Sequence, residues 1–323
     1  MEWLLVSLGL VILLLAGDAL VRGAVNLSLR IGIPALIVSL TIVAFGTSAP
    51  ELLISIQAAL KNAPGIAIGN VVGSNIANIL LVLGVPALLA PIHTSHCNSK
   101  RNYMLMLAAS VLFIALAADG FFRLGNGLVL LTALTFVLGS AVYQARCHKK
   151  AEAAADAAMA ETAMEEEEVE GADPDMPWWR IIVFLLLGLV GLPLGADLMV
   201  DNAEIIARRY GVSDTVIGLT LIALGTSLPE LATTVMAALR RQADVALGNV
   251  IGSNMFNLLA IIGVTAIIHP IRVDPDFFEF DFWVMLAASL MLMPFVFFRR
   301  DITRIWGAVL TVLYVTYILI TLT

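Results

Sequence analysis

Residues 45–92 read FGTSAPELLISIQAALKNAPGIAIGNVVGSNIANILLVLGVPALLAPI, and a close copy of them begins 179 positions later. Residues 224–271 read LGTSLPELATTVMAALRRQADVALGNVIGSNMFNLLAIIGVTAIIHPI and align with the first stretch without a gap. About half of the aligned residues are identical, and a weaker match extends back to Gly32 over Gly211. The chain is therefore an internal duplication, and both copies carry the same polar motifs.

The composition of the chain predicts a membrane protein. Hydrophobic residues make up 60% of its 323 residues and charged residues only 13%, whereas a soluble domain carries about 25% charged residues. A helix needs about 20 apolar residues to cross a bilayer, so we predict an all-α membrane protein with ten transmembrane helices. The ten segments are residues 2–21, 33–59, 65–90, 103–118, 124–144, 179–200, 212–239, 244–269, 282–298 and 303–322.

A hydrophilic stretch separates the two copies. Residues 146–177 are rich in Ala and Glu, and we interpret them as a solvated, acidic cytoplasmic linker. The first five-helix repeat then covers residues 1–145 and the second covers residues 178–323. A calcium-sensing role for residues 165–168, a bare run of glutamates, is disfavoured because calcium loops need spaced ligands and a turn glycine.

The distribution of Lys and Arg predicts the orientation of the chain. An odd number of helices in each copy places the second copy upside down, which makes the repeats inverted. With the N-terminus outside, the cytoplasmic loops hold 13 basic residues and the outer loops hold 5, as the positive-inside rule requires. The cytoplasmic set is Arg22, Arg30, Lys100, Arg101, Arg146, Lys149, Lys150, Arg180, Arg240, Arg241, Arg299, Arg300 and Arg304, and the outer set is Lys61, Arg123, Arg208, Arg209 and Arg272. Inverted repeats with interrupted helices are typical of secondary transporters, so we predict a multi-pass protein of the cell (inner) membrane.

Each copy places the motif GTSxPE inside an apolar segment, where it ends in Glu51 or Glu230. Proline removes a backbone donor and clashes with a carbonyl one turn earlier, so both helices are expected to break at the motif. The carbonyl oxygens that a break frees are intolerable against lipid but useful around a cation. A carboxylate deep in a membrane is costly and marks a functional site by default. A protonated glutamate bonded to a neighbour explains one such residue better than two in matching motifs.

The segment after each break carries GNVVGSNIAN or GNVIGSNMFN. Three polar residues spaced four apart share one helix face, which we interpret as a ligand face. They are Asn70, Ser74 and Asn78 in the first copy, and Asn249, Ser253 and Asn257 in the second. Asn75 and Asn254 lie off this face and are expected to bond a neighbouring helix. Glycines four residues apart are expected to let helices approach closely; they are Gly69 with Gly73 and Gly248 with Gly252.

All of these polar groups offer oxygen, and no Cys or His lies near them in the sequence. Oxygen ligands suit calcium, sodium, magnesium or manganese rather than zinc or copper. His93 and His96 form an HxxH pattern that we interpret as part of a surface loop. Asp18 and Asp197, which the repeat also pairs, lie near predicted helix ends and either gate the site or solvate a terminus.

The paired motifs closely resemble those of the cation/calcium exchanger superfamily, and the chain is similar to small prokaryotic sodium/calcium exchangers. The resemblance covers both halves and implies ten helices in two inverted five-helix repeats, with the second, third, seventh and eighth helices around the ion site. Matched by motif position, the implied acidic ligands are Glu51 and Glu230. The other implied ligands are the side chains of Thr47, Ser48, Ser74, Asn78, Thr226, Ser227, Ser253 and Asn257 and the backbone carbonyls of Ala44 and Ala223.

One departure from the family bears on the coupling ion. Asn78 and Asn257 are amides, where some members, including the potassium-dependent exchangers, carry aspartate. The site then has two formal charges, which weakens the case for potassium co-transport and for proton/calcium antiport. We therefore predict a sodium/calcium antiporter that works by alternating access. It is expected not to be an enzyme, to have no prosthetic group besides the transported Ca²⁺ and Na⁺, and to have lipid but no nucleic acid or obligate protein as partner.

Three other classes fit the sequence less well. A cation channel usually lines its pore by oligomeric symmetry, whereas this single chain carries both half-sites. An intramembrane aspartyl protease needs two catalytic aspartates, and the paired acids here are glutamates within proline breaks. A structural protein has no need for two charged sites inside the membrane.

Overall fold

A computed structural model describes residues 1–158, 173, 175–211 and 223–321, and most of these residues are helical. Two short strands, β1 (Phe121–Phe122) and β2 (Ile271–Arg272), pair in antiparallel fashion. The main helices are α1 Glu2–Ile31, α2 Ala35–Thr47, α3 Ala49–Leu60, α4 Pro64–Leu89, α5 Lys100–Ala117, α6 Leu124–Ala158, α7 Trp178–Arg209, α8 Ala223–Thr226, α9 Leu228–Leu239, α10 Ala243–Ile268, α11 Asp281–Phe297 and α12 Arg304–Thr321. Single turns at Thr94–His96 and Asp276–Glu279 lie between them.

Seven helices in the described part of the chain are long and apolar enough to cross a membrane. They are α1, α4, α5, α6, α7, α10 and α12, and α2 with α3 makes an eighth if the bent pair is one span. The shorter helices α9 and α11 are also apolar, and residues 212–222, which precede α8, lie outside the described residues. The chain is thus an all-α membrane protein. The number of ten spans and the inverted five-helix repeats stay predictions.

The centre of the bundle is formed by α4 and α10, the helices that carry the GNxxGSNxxN motifs. Buried residues make up 78% of the spanning window in each of these helices, but only 17% of the window in α12. A helix that is apolar on all sides and buried on most of them lies in a protein core rather than against lipid. The polar residues of both motifs are therefore held away from the bilayer.

The first helix and its repeat partner α7 are longer than the predicted segments, which end near the charged residues Asp18 and Asp201. Both helices continue past these charges and are followed by a glycine in the left-handed region. Gly32 follows α1 with φ 63°, and Gly211 follows α7 with φ 80°. A glycine has no Cβ penalty in this conformation and is therefore a favoured helix stop. The expected positions of Asp18 and Asp197 near helix ends are thus wrong, because the first lies inside α1 and the second inside α7.

Three contacts join segments of the chain that are far apart in the sequence. Asp18 accepts a hydrogen bond from Arg240 and forms an ion pair with Arg22 at 3.0 Å, which joins α1 to the end of α9. On another loop, Arg209 at the end of α7 donates to the Glu2 carboxylate at 3.0 Å. The β1–β2 pair likewise joins two loops that are predicted to be outside. The last two contacts join segments that are both predicted to be outside, and the orientation of the chain in the membrane stays a prediction.

The acidic run at residues 165–168 lies outside the described residues, and so does most of the linker. Helix α6 enters the predicted linker and reaches Ala158. At the far end, the backbone N–H of Asp173 donates to Oδ1 of Asn26 on α1 at 2.8 Å. The linker boundaries at residues 146 and 177 stay predictions.

We expect that replacing all four glutamates of residues 165–168 with Gln leaves ion transport unchanged, because the run has no spaced ligand set. The measurement is calcium uptake into membrane vesicles over a range of calcium concentrations, at matched protein levels. A change in the half-saturating calcium concentration would contradict the interpretation of this segment as a solvated linker and favour a sensing role. The chain length is kept in this variant, so no strain is introduced between the two halves.

Candidate cation-binding site

Both GTSxPE motifs interrupt their helices at the serine. The axes of α2 and α3 differ by 43° across the break at Ser48. Ser48 has φ −85° and ψ 5°, and Ser227 between α8 and α9 has φ −90° and ψ 2°. The break predicted in the first copy is thus confirmed, and the second copy has the same backbone at its serine. Each glutamate falls in the first turn of the following helix, where the positive end of the helix dipole favours a carboxylate.

The two glutamates meet in one buried site. Glu51 is 1% exposed and Glu230 is 0% exposed. Ser48, which directly precedes the helix of Glu51, donates from Oγ to Oε1 of Glu230 at 3.2 Å. The site is therefore shared by the two copies of the repeat.

Every predicted side-chain ligand is buried, and both copies contribute oxygen atoms that lack a hydrogen-bond partner among the described residues. The buried ligands are Thr47, Ser48, Glu51, Ser74, Asn78, Thr226, Ser227, Glu230, Ser253 and Asn257. The unpaired oxygens are Oε2 of Glu51 and Glu230, Oγ of Ser227 and Ser253, and Oδ1 of Asn78 and Asn257. Burying a polar atom without a partner is costly, so such a set is typical of a site that binds a cation.

The resemblance also adds two backbone carbonyls, those of Ala44 and Ala223, to the ligand set. The Ala44 oxygen accepts from the N–H of Ser48 at 3.0 Å and from Oγ1 of Thr47 at 3.3 Å. Both lone pairs of this oxygen are thus occupied in the present conformation. Ala223 is the first residue of α8. The ligand roles of Ala44 and Ala223 stay predictions.

The first asparagine of each GNxxGSNxxN motif holds the helix that carries the glutamate. Nδ2 of Asn70 donates to the backbone oxygen of Glu51 at 3.2 Å and to Oγ of Ser55 at 3.0 Å. Asn249 repeats both contacts in the second copy at 3.4 and 3.3 Å, and its Oδ1 also accepts from Thr47 at 3.4 Å. Periodicity placed these amides on the ligand face, but their donors are used to fix the position of the neighbouring helix.

Two glycines of α10 permit close packing against α2. A Cβ atom on Gly248 or Gly252 would lie 2.7 or 2.5 Å from a backbone oxygen of α2, and the oxygen near Gly252 belongs to Leu40. The predicted close approach is therefore confirmed for this pair. The segment that would face Gly69 and Gly73 by repeat symmetry lies largely outside the described residues, so their role stays a prediction. The π-helical turn that contains Leu40 ends at Val43, and two residues separate it from the GTSxPE motif.

The HxxH pattern lies apart from this site. Nδ1 of His93 is 2.9 Å from Oδ2 of Asp301, and both side chains are partly exposed, so the surface-loop interpretation is confirmed for His93. Ser95 donates its N–H to the same carboxylate, and these contacts lower the pKa of Asp301 although burial opposes them. Within the described ranges, no group of three or more His, Cys, Asp or Glu residues is arranged to hold a metal ion. The two-glutamate site thus depends on hydroxyl and amide oxygens to complete a coordination shell.

Comparison with known proteins agrees with this geometry. The family described as sodium/calcium exchanger protein matches residues 1–144 and 180–323, which leaves out little more than the predicted linker. The chain belongs to the sodium/calcium exchanger family. Its relatives include the sodium/calcium exchanger MaX1 of Methanosarcina acetivorans, 34% identical with 99% of this chain and 98% of the relative covered. The inner membrane protein YrbG of Escherichia coli is 36% identical, with 89% and 86% covered.

Solved structures of a sodium–calcium exchanger, NCX_Mj, share the fold of the present exchanger. One of them, soaked with Na⁺ and Sr²⁺, matches with a TM-score of 0.81 at 32% identity, covering 98% of this chain and 97% of that one. A match of this extent includes both copies of the duplicated sequence. Membership of a transporter family also agrees with the expectation that the chain is not an enzyme.

Proposed function

We propose that the protein is a secondary active antiporter that exchanges sodium for calcium by alternating access. The observation that carries this proposal is the pair Glu51 and Glu230, buried together on interrupted helices with an unpaired oxygen on each. Two carboxylates neutralise one divalent cation or hold two or three monovalent cations. The ions therefore compete for the same oxygens, and a carrier that moves only when loaded converts competition into exchange.

Sodium is the coupling ion that the site favours over protons and potassium. Asn78 and Asn257 are buried amides, so the two glutamates are the only formal charges among the proposed ligands. Relatives named as sodium/calcium exchangers and structures of NCX_Mj soaked with Na⁺ and Ca²⁺ or Sr²⁺ support the same assignment. The ligand set proposed for the ions comprises the ten side chains of the site together with the carbonyls of Ala44 and Ala223.

The proposed setting is the cell (inner) membrane, with the N-terminus outside and ten helices in two inverted repeats. The contact of Arg209 with Glu2 and the β1–β2 pair each join two segments that are predicted to be outside, which supports this topology. The proposed motion is a sliding of α1 and α7 across the site, and the close contact between these two helices supports their movement as a pair. Gly9 and Gly195 face each other so closely that a Cβ on either would lie 2.8 to 3.0 Å from the other's backbone oxygen.

Proteoliposomes test the coupling ion directly. Sodium-loaded vesicles are expected to take up calcium when they are diluted into sodium-free buffer, and potassium on either side is expected to be dispensable. Calcium uptake of equal rate into sodium-free vesicles driven by a pH gradient would replace sodium with protons as the coupling ion. Uptake that needs no counter-ion at all would point to a channel.

A further inference from the structure

The side chain of Asn254 crosses from the second copy of the repeat into the first. It lies on α10 and is 1% exposed. Its Nδ2 donates to the backbone oxygen of Asn75 at 3.5 Å and to Sδ of Met106 at 3.7 Å. Its Oδ1 accepts a hydrogen bond from Nδ2 of Asn78 at 3.1 Å. All three partners belong to the first copy, and one of them is a predicted ligand.

The partners of Asn254 determine which way its amide faces. A backbone carbonyl can only accept a hydrogen bond, and a thioether sulfur is likewise an acceptor. The NH₂ group of Asn254 must therefore face Asn75 and Met106, which turns its oxygen toward Asn78. Only the NH₂ group of Asn78 can donate to that oxygen. Oδ1 of Asn78, which is buried and has no hydrogen-bond partner among the described residues, is then directed away from Asn254.

An asparagine is a cation ligand through its oxygen alone, because its NH₂ group carries positive partial charge. We propose that Asn254 is a positioning residue that fixes the amide of Asn78 with its oxygen available to the transported cation. This inference rests on the proposed function, since it assigns Asn78 to the calcium site. A reversed Asn78 amide would place two oxygens against each other and leave two buried acceptors unpaired, which is costly.

The second copy lacks the equivalent contact, although its sequence is the same at these positions. Asn75, the repeat partner of Asn254, donates to the Val71 oxygen of its own helix at 2.9 Å. Its Oδ1 and Nδ2 of Asn257 are both buried without a hydrogen-bond partner in the described part of the chain. The Asn254–Asn78 contact is therefore a feature of the three-dimensional arrangement and not of the motif. It gives Asn78 a fixed orientation that Asn257 does not share.

The test replaces Asn254 with Leu, which is close in shape but cannot accept a hydrogen bond. Calcium binding to the purified full-length protein in detergent is expected to weaken by about tenfold, the effect of losing one buried hydrogen bond and a ligand orientation. The matched control is Asn202→Leu, because Asn202 is also buried but donates to the Leu198 oxygen of its own helix. Calcium binding is expected to stay within about twofold in the control, which is the usual scatter between independent sites.

A second test, in a protein that already carries a substitution at residue 78, separates a positioning role of Asn254 from a merely structural one. Asn78→Ala has no side-chain amide to direct, so the contact with Asn254 is absent from this variant. Adding Asn254→Leu to Asn78→Ala is therefore expected to change calcium binding by less than about twofold relative to Asn78→Ala alone. Equal weakening of calcium binding by Asn254→Leu with and without the substitution at residue 78 would overturn this inference. No weakening in the single variant Asn254→Leu would also overturn it. Neither outcome would contradict the proposed function. Absence of calcium binding by the wild-type protein would contradict the proposed function as well.

Discussion

Replacing either Glu51 or Glu230 with Gln is expected to abolish calcium exchange at physiological calcium concentrations. Each substitution keeps the shape of the side chain and removes half of the formal charge of the site. Removing one partner from a buried charged cluster costs about 3 kcal/mol or more, which is a loss of about a hundredfold in affinity at 1.4 kcal/mol per factor of ten. The measurement is calcium uptake by sodium-loaded proteoliposomes, with calcium binding to the purified protein as a second readout.

The repeat predicts similar severity for the two glutamate variants, and sodium binding is expected to suffer less because one carboxylate suits a monovalent ion. Glu204→Gln is the matched control, since Glu204 forms a surface ion pair with Arg208 at 2.8 Å. Its loss is expected to be nearly neutral, as surface ion pairs contribute little. Calcium exchange at the wild-type rate in Glu51→Gln or Glu230→Gln, at matched membrane levels, would show that the site lies elsewhere.

Replacing Gly252 with Ala is expected to destabilise the protein and impair transport. The added Cβ would lie 2.5 Å from the oxygen of Leu40 and 2.6 Å from Cβ of Ala44, both in α2 close to its break. Backbone atoms cannot rotate away as the tip of a side chain can, so α10 and α2 must separate. Such overpacking costs about 2 kcal/mol, or roughly 4 °C in the apparent melting temperature.

The matched control for the glycine is Gly139→Ala in α6, where an added Cβ meets no described atom within 4 Å. Alanine is a better helix former than glycine, so this control is expected to be neutral or slightly stabilising. The apparent melting temperatures of the detergent-purified variants are compared by heating samples and measuring the remaining folded protein by size-exclusion chromatography. Equal melting temperatures for Gly252→Ala and the wild-type protein would mean that the contact between α10 and α2 is looser than the structure indicates.

The sequence predicts the parts of the site that follow from local chemistry. A proline and a glycine in GTSxPE predict the break at Ser48, and helical periodicity predicts that Ser74 and Asn78 share a face. The repeat predicts that Glu51 and Glu230 belong to one site, because they end matching motifs in two copies that are predicted to be inverted. These features depend on a few neighbouring residues, so they can be derived before any tertiary structure is known.

The sequence could not predict which neighbour each amide would choose. Asn70 and Asn249 fall on the predicted ligand face, yet their donors hold the backbone of the adjacent helix. Asn254 falls off that face and nevertheless directs Asn78. A helical period gives the direction of a side chain but not the partner on the facing helix. Both motifs carry asparagine at these positions, so the sequence gives no sign that only one copy forms this contact.

The division of the site between the two copies has a consequence for biosynthesis. A ribosome completes the first copy well before the second, so Glu51 enters the membrane before the helix that carries Glu230 exists. The hydrogen bond from Ser48 to Glu230 cannot form at that stage. A nascent chain that ends after α6 therefore holds a polar half-site that must be shielded from lipid, by water, a chaperone or the insertion machinery. Stop codons placed between the copies should thus yield a product that is cleared by proteolysis, rather than a stable half-transporter.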